Sequence, residues 1–408
     1  MHFPRIDTML RTRTTTALAL ALGLLAFADG RARVQGQAIW PSAPVGSITG
    51  ISEPTTRQVV QRRDDNNGAI LIIGTCSGNI DGFQARSFLR PGMVGQPLGW
   101  SPLVDVAIYE GHFVAIFRQP AGGFYDLQVR PVFQGQVGLP VSVYAIGVGE
   151  VLITAGQSNA TNWGWPTGFA PDVRVSSFDP GPGLGIDPAF PGAGWRYGID
   201  PQPVIDGSIG SSTWPTMANN LAVVLNVPVG LYSVGYSGTR VGQWLPGVSF
   251  TPPDVPSARL VLFDRLANAI RYFDTRGGAR GVLWIQGESD YFSTIDPQTY
   301  LAQLRLLIDQ SRALTGVPIK WMVAQTTSPL ADNPSRRASI EKAQGSVIDN
   351  LLTFPGPNAD SVGLAYRQPS IYGPLHFNAA GVLLMGNYWG IYVANVPGFL
   401  SQGELPPR

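Results

Sequence analysis

The 408-residue chain is poor in the residues that most often carry metal and redox chemistry. It has one cysteine, Cys76, and three histidines, His2, His112 and His376. A single thiol excludes an intramolecular disulfide, so the fold rests on its core in any redox compartment. So few His and Cys leave no clustered ligand set of the zinc type. A carboxylate-only Ca²⁺ or Mg²⁺ site stays open, but no ligand loop calls for one, and no metal or cofactor is expected. Charge is scarce as well: 13% of residues are charged, and 28 Lys+Arg against 27 Asp+Glu leave a formal charge of +1. Without a basic excess, bulk capture of nucleic acid or of an anionic membrane is excluded. What the chain has in quantity is 49 glycines, 35 prolines, 10 tryptophans and a 44% hydrophobic share. That composition predicts a globular, loop-rich protein of two or three domains.

Arg5, Arg11 and Arg13 precede an apolar run from Ala17 to Ala28 that ends in Ala26-Phe27-Ala28. A basic start, a short apolar centre and an A-x-A end predict a secretory signal peptide over residues 1–28. The run is shorter than the roughly 20 apolar residues that span a bilayer. The mature chain is therefore expected to be secreted or periplasmic, with no membrane association after cleavage. It would keep two histidines.

From 39 to 149 the sequence reads as short strands separated by turns. Val59-Val60, Ala69–Ile73, Val104–Ile108, Phe113–Phe117, Tyr125–Val129 and Val141–Ala145 are rich in β-formers. Clusters such as Asp64-Asp65-Asn66-Asn67-Gly68 bound them. Such spacing without helical periodicity predicts an all-β sandwich. After Gly149 the pattern turns to alternation. Strands are predicted at Val151–Ala155, Val229–Val234, Gly281–Ile285 and Ile319–Ala324. Helices are predicted at Trp214–Leu225, around Leu260–Phe273, at Tyr300–Leu314, at Ser335–Leu351 and at Ala379–Val393. Alternation of this kind predicts a parallel sheet covered by helices, placed over 150–398. A Gly/Pro-rich stretch, Gly164 to Ser212, separates the first strand from the first helix and reads as a long binding or lid loop.

In open α/β sheets ligands sit beyond the carboxyl ends of the strands. Three polar motifs fall there: Gly156-Gln157-Ser158-Asn159, Gly235-Tyr236-Ser237-Gly238-Thr239 and Gln286-Gly287-Glu288-Ser289-Asp290. A fourth, Gly373-Pro374-Leu375-His376-Phe377-Asn378, precedes the last helix. A serine hydroxyl attacks only when a base takes its proton and donors stabilise the oxyanion. With His112 on the β region, the base for such a serine is His376 by elimination.

Gly-Gln-Ser-Asn at 156–159, Ser-Gly-Thr-Arg at 237–240 followed by Trp244, Gln-Gly-Glu-Ser-Asp at 286–290 and His-Phe-Asn at 376–378 resemble the blocks of the SGNH-hydrolase superfamily. The closest variants are the sialate O-acetylesterase-like and acetylxylan-esterase-like carbohydrate esterases. The stretches Gln61–Gly68 and Gly122–Tyr125 resemble the β domain that accompanies them. The resemblance implies a flavodoxin-like three-layer α/β/α domain after a β-sandwich. It also implies a serine esterase that removes O-acetyl groups from carbohydrates, with an acetylated carbohydrate as its partner. By position, Ser158 would be the nucleophile and His376 the base. The backbone N–H groups of Ser158 and Gly238 and the Gln286 side-chain amide would form the oxyanion hole. Gln157, Asn159 and Trp163 are candidate substrate contacts, with loop support the competing role for Gln157 and Asn159 and packing for Trp163. Trp165, Phe169 and Trp195 on the long stretch are further candidates for stacking on sugar rings, against core or lid packing. Thr239 and Trp244 read as structural.

One departure bears on mechanism. Relatives carry Asp three residues before the histidine, and Gly373 stands at that position here. Three readings stay open: a carboxylate from elsewhere, Glu288 or Asp290, orients His376; a backbone carbonyl does so, giving a Ser–His dyad; or the chain is a glycan-binding relative without catalysis. An α/β-hydrolase elbow is disfavoured, because residues 156–160 end in Ala160 rather than Gly. A glycosidase built on Glu288 and Asp290 would leave Ser158 and His376 without a role. The sequon Asn159-Ala160-Thr161 reads as unused.

Overall fold

The computed structural model describes residues 43–181, 194–253, 255–330, 333–369 and 374–401. The expected signal segment and Gly373 lie outside them. Ahead of the central sheet come β1 (Ser47–Glu53), β2 (Val59–Gln61), β3 (Asn67–Ser77), β4 (Gly82–Val94), β5 (Ser101–Pro102), β6 (Val104–Tyr109), β7 (His112–Pro120), β8 (Gly122–Phe133) and β9 (Gln136–Val137). One antiparallel sheet has the order β1-β3-β7-β6. A second is built on β4 and β8, with β5 and β9 at their sides, and continues into β10 (Val141–Gly156). The two sheets share a core. Ile70, Ile72, Phe113 and Phe117 of the first meet Phe83, Tyr125, Leu127 and Ile146 of the second. Alternation of buried and half-buried positions along β3, β4 and β8 is what packing through one face produces. Strand β4 escaped the sequence reading because its outward positions are Gln84 and Arg86, which interrupt the apolar run.

β10 belongs to both halves of the molecule. Val141–Val148 pairs antiparallel with β8. Glu150–Thr154 pairs parallel with β13 (Val229–Ser233), and Leu152–Gly156 with β14 (Gly281–Ile285). The position 149/150, expected to separate two domains, lies inside this one strand, and the chain from Pro44 onward forms one compact unit. Three side chains tie the halves at this point. Glu150, fully buried, accepts from Arg62 Nε at 2.7 Å, from Arg280 Nε at 2.7 Å and from Gln61 Nε2 at 3.0 Å.

The remaining strands are β11 (Val175–Asp179), β12 (Gly194–Tyr197), β15 (Lys320–Gln325) and β16 (Thr353–Asn358). The sheet order is β12-β11-β13-β10-β14-β15-β16, all parallel except β12. Val151, Ile153 and Ala155 of β10 face α2 (Leu262–Asp274), α4 (Pro297–Arg312) and α5 (Pro334–Gly345). Leu152 faces α1 (Trp214–Leu225) and α6 (Ala379–Asn395) on the other side. The short α3 (Glu288–Phe292) follows β14 directly. The fold is thus mixed α/β, with helices on both faces of the parallel sheet. β11 and β12 fall inside the stretch expected to be a loop. Trp195, a candidate sugar contact, is buried there against Phe178 and Phe273 and serves the core. β16, Thr-Phe-Pro-Gly-Pro-Asn, was hidden by its two prolines, which an edge strand tolerates.

Candidate active site

The adjacent strands β13, β10 and β14 deliver three loops to one edge of the sheet. At the end of β10, Gly156 has φ +134°, and a Cβ there would lie 2.0 Å from the Ile285 carbonyl oxygen, so only glycine fits. Gln157 N–H donates to that Ile285 carbonyl at 3.1 Å, and Ser158–Ala160 close into a buried 3-10 turn. Thr161 Oγ1 caps the Ser158 carbonyl at 3.0 Å, and Trp214 Nε1 holds the Ala160 carbonyl at 2.8 Å. Asn159 and Thr161 are both buried, so the sequon is closed to a glycan in the folded chain. At the end of β13, Tyr236 N–H donates to the Gly156 carbonyl at 2.9 Å. The turn that follows is fixed by Thr239, which bonds the Tyr236 carbonyl and receives Trp244 Nε1. Gly238 takes φ +70°, the left-handed region that glycine favours. The backbone N–H groups of Ser158 and Gly238 have no acceptor among the described residues.

β14 ends at Gln286, which is fully buried. Its Nε2 lies 2.5 Å from Asp290 Oδ2, 3.0 Å from the Thr239 carbonyl and 3.3 Å from Gln157 Oε1. Two amide hydrogens thus face three acceptors, and the side chain is committed to tying loops together. Gln157 Oε1 also accepts from the N–H groups of Gly287 and Ser289, at 3.4 and 3.1 Å. Asp290 Oδ2 takes the Val241 N–H at 2.8 Å. Glu288, 2% exposed, accepts from Asn159 Nδ2 at 2.6 Å and from Thr326 Oγ1 at 3.0 Å. Its Oε2 is buried without a partner among the described residues. Burial raises the carboxyl groups of Glu288 and Asp290 above the usual range, against the hydrogen bonds each receives.

The histidine loop meets this cluster from the C-terminal side. Asn159 Nδ2 reaches the Leu375 carbonyl at 3.4 Å, so the residue after Ser158 touches the residue before His376. Arg367 Nη1 donates to the same carbonyl at 2.6 Å, and Gln368 N–H holds the His376 carbonyl at 2.8 Å. The imidazole lies against Trp163, ring centroids 5.2 Å apart and planes inclined by 31°. Burial, assisted by the Arg367 charge, pushes His376 down to about 4, so the ring is neutral at ordinary pH. Among the described residues no hydrogen bond or ion pair reaches the His376 ring or the Ser158 hydroxyl. Glu288 and Asp290 spend their bonded oxygens on other partners.

Residues 199–390 match the family model described as carbohydrate esterase, sialic acid-specific acetylesterase. The matched stretch, 192 of the 408 residues, is similar to that esterase family. The match takes in Gly238, Gln286, Glu288, Asp290 and His376, and begins after Ser158. A carbohydrate acetylesterase from Xanthomonas citri shares the fold of this chain, with TM-score 0.53 and 17% identity over 84% of this chain and 73% of its own. A protein from Arabidopsis thaliana is 18% identical over 60% of this chain and 98% of its own, with TM-score 0.46. No curated protein matches the sequence.

Several residues of the candidate site had no sequence signal. Asp206 accepts from Trp163 Nε1 and from Ser237 N–H, both at 3.2 Å, and so ties the ring over His376 to the turn that carries Gly238. Arg367 and Thr326 act at long sequence distance from their partners. Of the long-stretch aromatics, Trp163 and Trp165 are exposed and Phe169 is half-buried.

Proposed function

We propose that the chain is a secreted serine esterase that removes O-acetyl groups from carbohydrates, of the sialic acid or acetylated plant polysaccharide type, through an acyl-serine intermediate. In this reading residues 39–149 are a β-sandwich accessory domain and 150–398 a flavodoxin-like SGNH-type domain. Ser158 Oγ attacks the acetyl carbonyl carbon while neutral His376 takes its proton. The oxyanion is held by the N–H groups of Ser158 and Gly238, which have no acceptor among the described residues and are donors of a kind each worth about 3–4 kcal/mol of barrier. Gln286 contributes by holding the three loops in register, since its amide hydrogens are engaged. Collapse of the tetrahedral intermediate breaks the ester C–O bond, and His376 returns the proton to the departing sugar hydroxyl. Water activated by the same base then releases acetate from the serine.

The observation that carries the reading is the contact of Asn159 with both Glu288 and the Leu375 carbonyl, which joins the serine, glutamate and histidine loops. Purified Ser158→Ala is expected to lose acetate release from acetylated xylan and O-acetyl sialic acid by about 10⁴-fold or more. Hydrolysis of p-nitrophenyl acetate at the wild-type rate would sink the assignment. The imidazole, with no carboxylate bonded to it among the described residues, favours a second reading: a glycan-binding relative. That reading predicts affinity for polysaccharide with no acetate released.

A further inference from the structure

The second antiparallel sheet turns an unusual set of side chains outward, far along the chain from every residue of the site. Gln84 and Arg86 on β4 stand opposite Arg130 and Gln128 on β8. Arg86 donates Nε and Nη2 to Gln128 Oε1 at 2.9 and 2.6 Å, and Arg130 donates the same two nitrogens to Gln84 Oε1 at 3.0 and 2.7 Å. Both guanidinium groups lie over the ring of Trp100, at 4.6 and 3.9 Å from Cζ to centroid. Each is thus fixed in direction by a forked hydrogen bond and by stacking. Among the described residues no carboxylate pairs with either. Asp126, on the same face, pairs instead with Arg90 at 3.6 Å. Nη1 of both arginines is without a hydrogen bond among the described residues, and exposed Phe88 and Tyr144 extend the face.

Two like charges side by side on a sheet repel, and among the described residues no carboxylate pairs with them. A carboxylate would do so through charge-assisted hydrogen bonds to the free Nη1 groups, while Gln128 and Gln84 keep their amide N–H groups for hydroxyls. We propose that this face binds an acidic polysaccharide, one bearing uronic-type carboxylates on its sugar units, and so anchors the chain to such a polymer. The inference goes beyond the esterase reading and does not require it.

Polygalacturonate and its fully methyl-esterified form are the probes, in native affinity electrophoresis and titration calorimetry of the full chain. The acid polymer is expected to bind at least about tenfold more tightly than the ester, because only it can pair with the arginines. The double variant Arg86→Gln/Arg130→Gln should raise Kd for the acid polymer about tenfold or more and leave p-nitrophenyl acetate hydrolysis unchanged. Trp100→Ala should weaken binding as well; should it fail to fold, the double arginine variant, checked by circular dichroism, still decides. Equal binding of acid and ester, or undiminished binding by the double variant, overturns the proposal. So does a wild-type dimer that the double variant converts to monomer, since the face would then be covered by a second copy. An esterase-dead chain that still prefers the acid polymer would refute the enzyme and leave this site standing.

Discussion

The paired parallel strands β10 and β14 have a buried glutamate at opposite ends, Glu150 within β10 and Glu288 just after β14, and the two are in opposite circumstances. Glu150, where the strand enters the parallel sheet, is paired with Arg62 and Arg280 and receives Gln61. Glu288, beyond the end of β14, receives the neutral side-chain donors Asn159 and Thr326, and one of its oxygens has no partner among the described residues. The first arrangement completes a charge inside the fold. The second leaves a carboxyl under strain of desolvation, raised above its usual range, beside the serine turn. Burial with full pairing belongs to architecture, and burial with incomplete pairing collects where chemistry is done. β10 carries the first, and its parallel neighbour β14 leads into the second.

The largest expected effect falls at the architectural end. Glu150→Ala leaves Arg280, 2% exposed, without its counter-charge and should destabilise the protein by about 3–5 kcal/mol, the usual cost of breaking a buried pair. Denaturant melts read this directly. Activity per folded molecule should stay near wild type. A stable Glu150→Ala protein with lost activity would reverse the contrast between the two ends.

At the chemical end the order should invert. Glu288→Ala removes the anchor of Asn159, which joins the serine turn to the Leu375 carbonyl, and should lower kcat about 100-fold, on the order of 3 kcal/mol of barrier. Glu288→Gln keeps an acceptor oxygen for Asn159 and Thr326 and should recover most of that loss. Equal damage from both substitutions would mean that the negative charge, rather than the hydrogen bonds, is what Glu288 supplies.

How far the sequence carried these conclusions differs between strands and contacts. Strands β3 and β7 and helices α1 and α6 were legible because their apolar residues recur at strand or helix spacing. β4 was not, since its outward Arg and Gln look like a turn, and β16 was masked by prolines that an edge strand can hold. The strand-end motifs around Ser158, Gly238 and Gln286 could be placed because a parallel sheet puts all such ends on one side. Asp206, Thr326 and Arg367 are single polar residues whose roles depend on which distant loop folds against them, and no local pattern records that. The imidazole shows the same limit. Its residue type and position in a motif pointed to a base, but its titration is set by burial and by Arg367, which turns back from nine residues upstream.

That titration gives the smallest effect and the finest discrimination. His376 is held down to about 4 where an exposed imidazole in the unfolded chain titrates near ~6.5. The folded chain therefore binds fewer protons than the unfolded one between these values, so stability rises with pH across that window and is lost again as acid protonates the ring. kcat/KM should climb through about pH 4 and then stay within about threefold from pH 6 to 8, because the base is already neutral there. An inflection near 6.5 in kcat/KM would mean that the ring is solvated in the working enzyme. Trp163 would then have to move off His376 before the serine is activated, and the loop that holds it through Asp206 would be part of the catalytic cycle rather than a fixed wall.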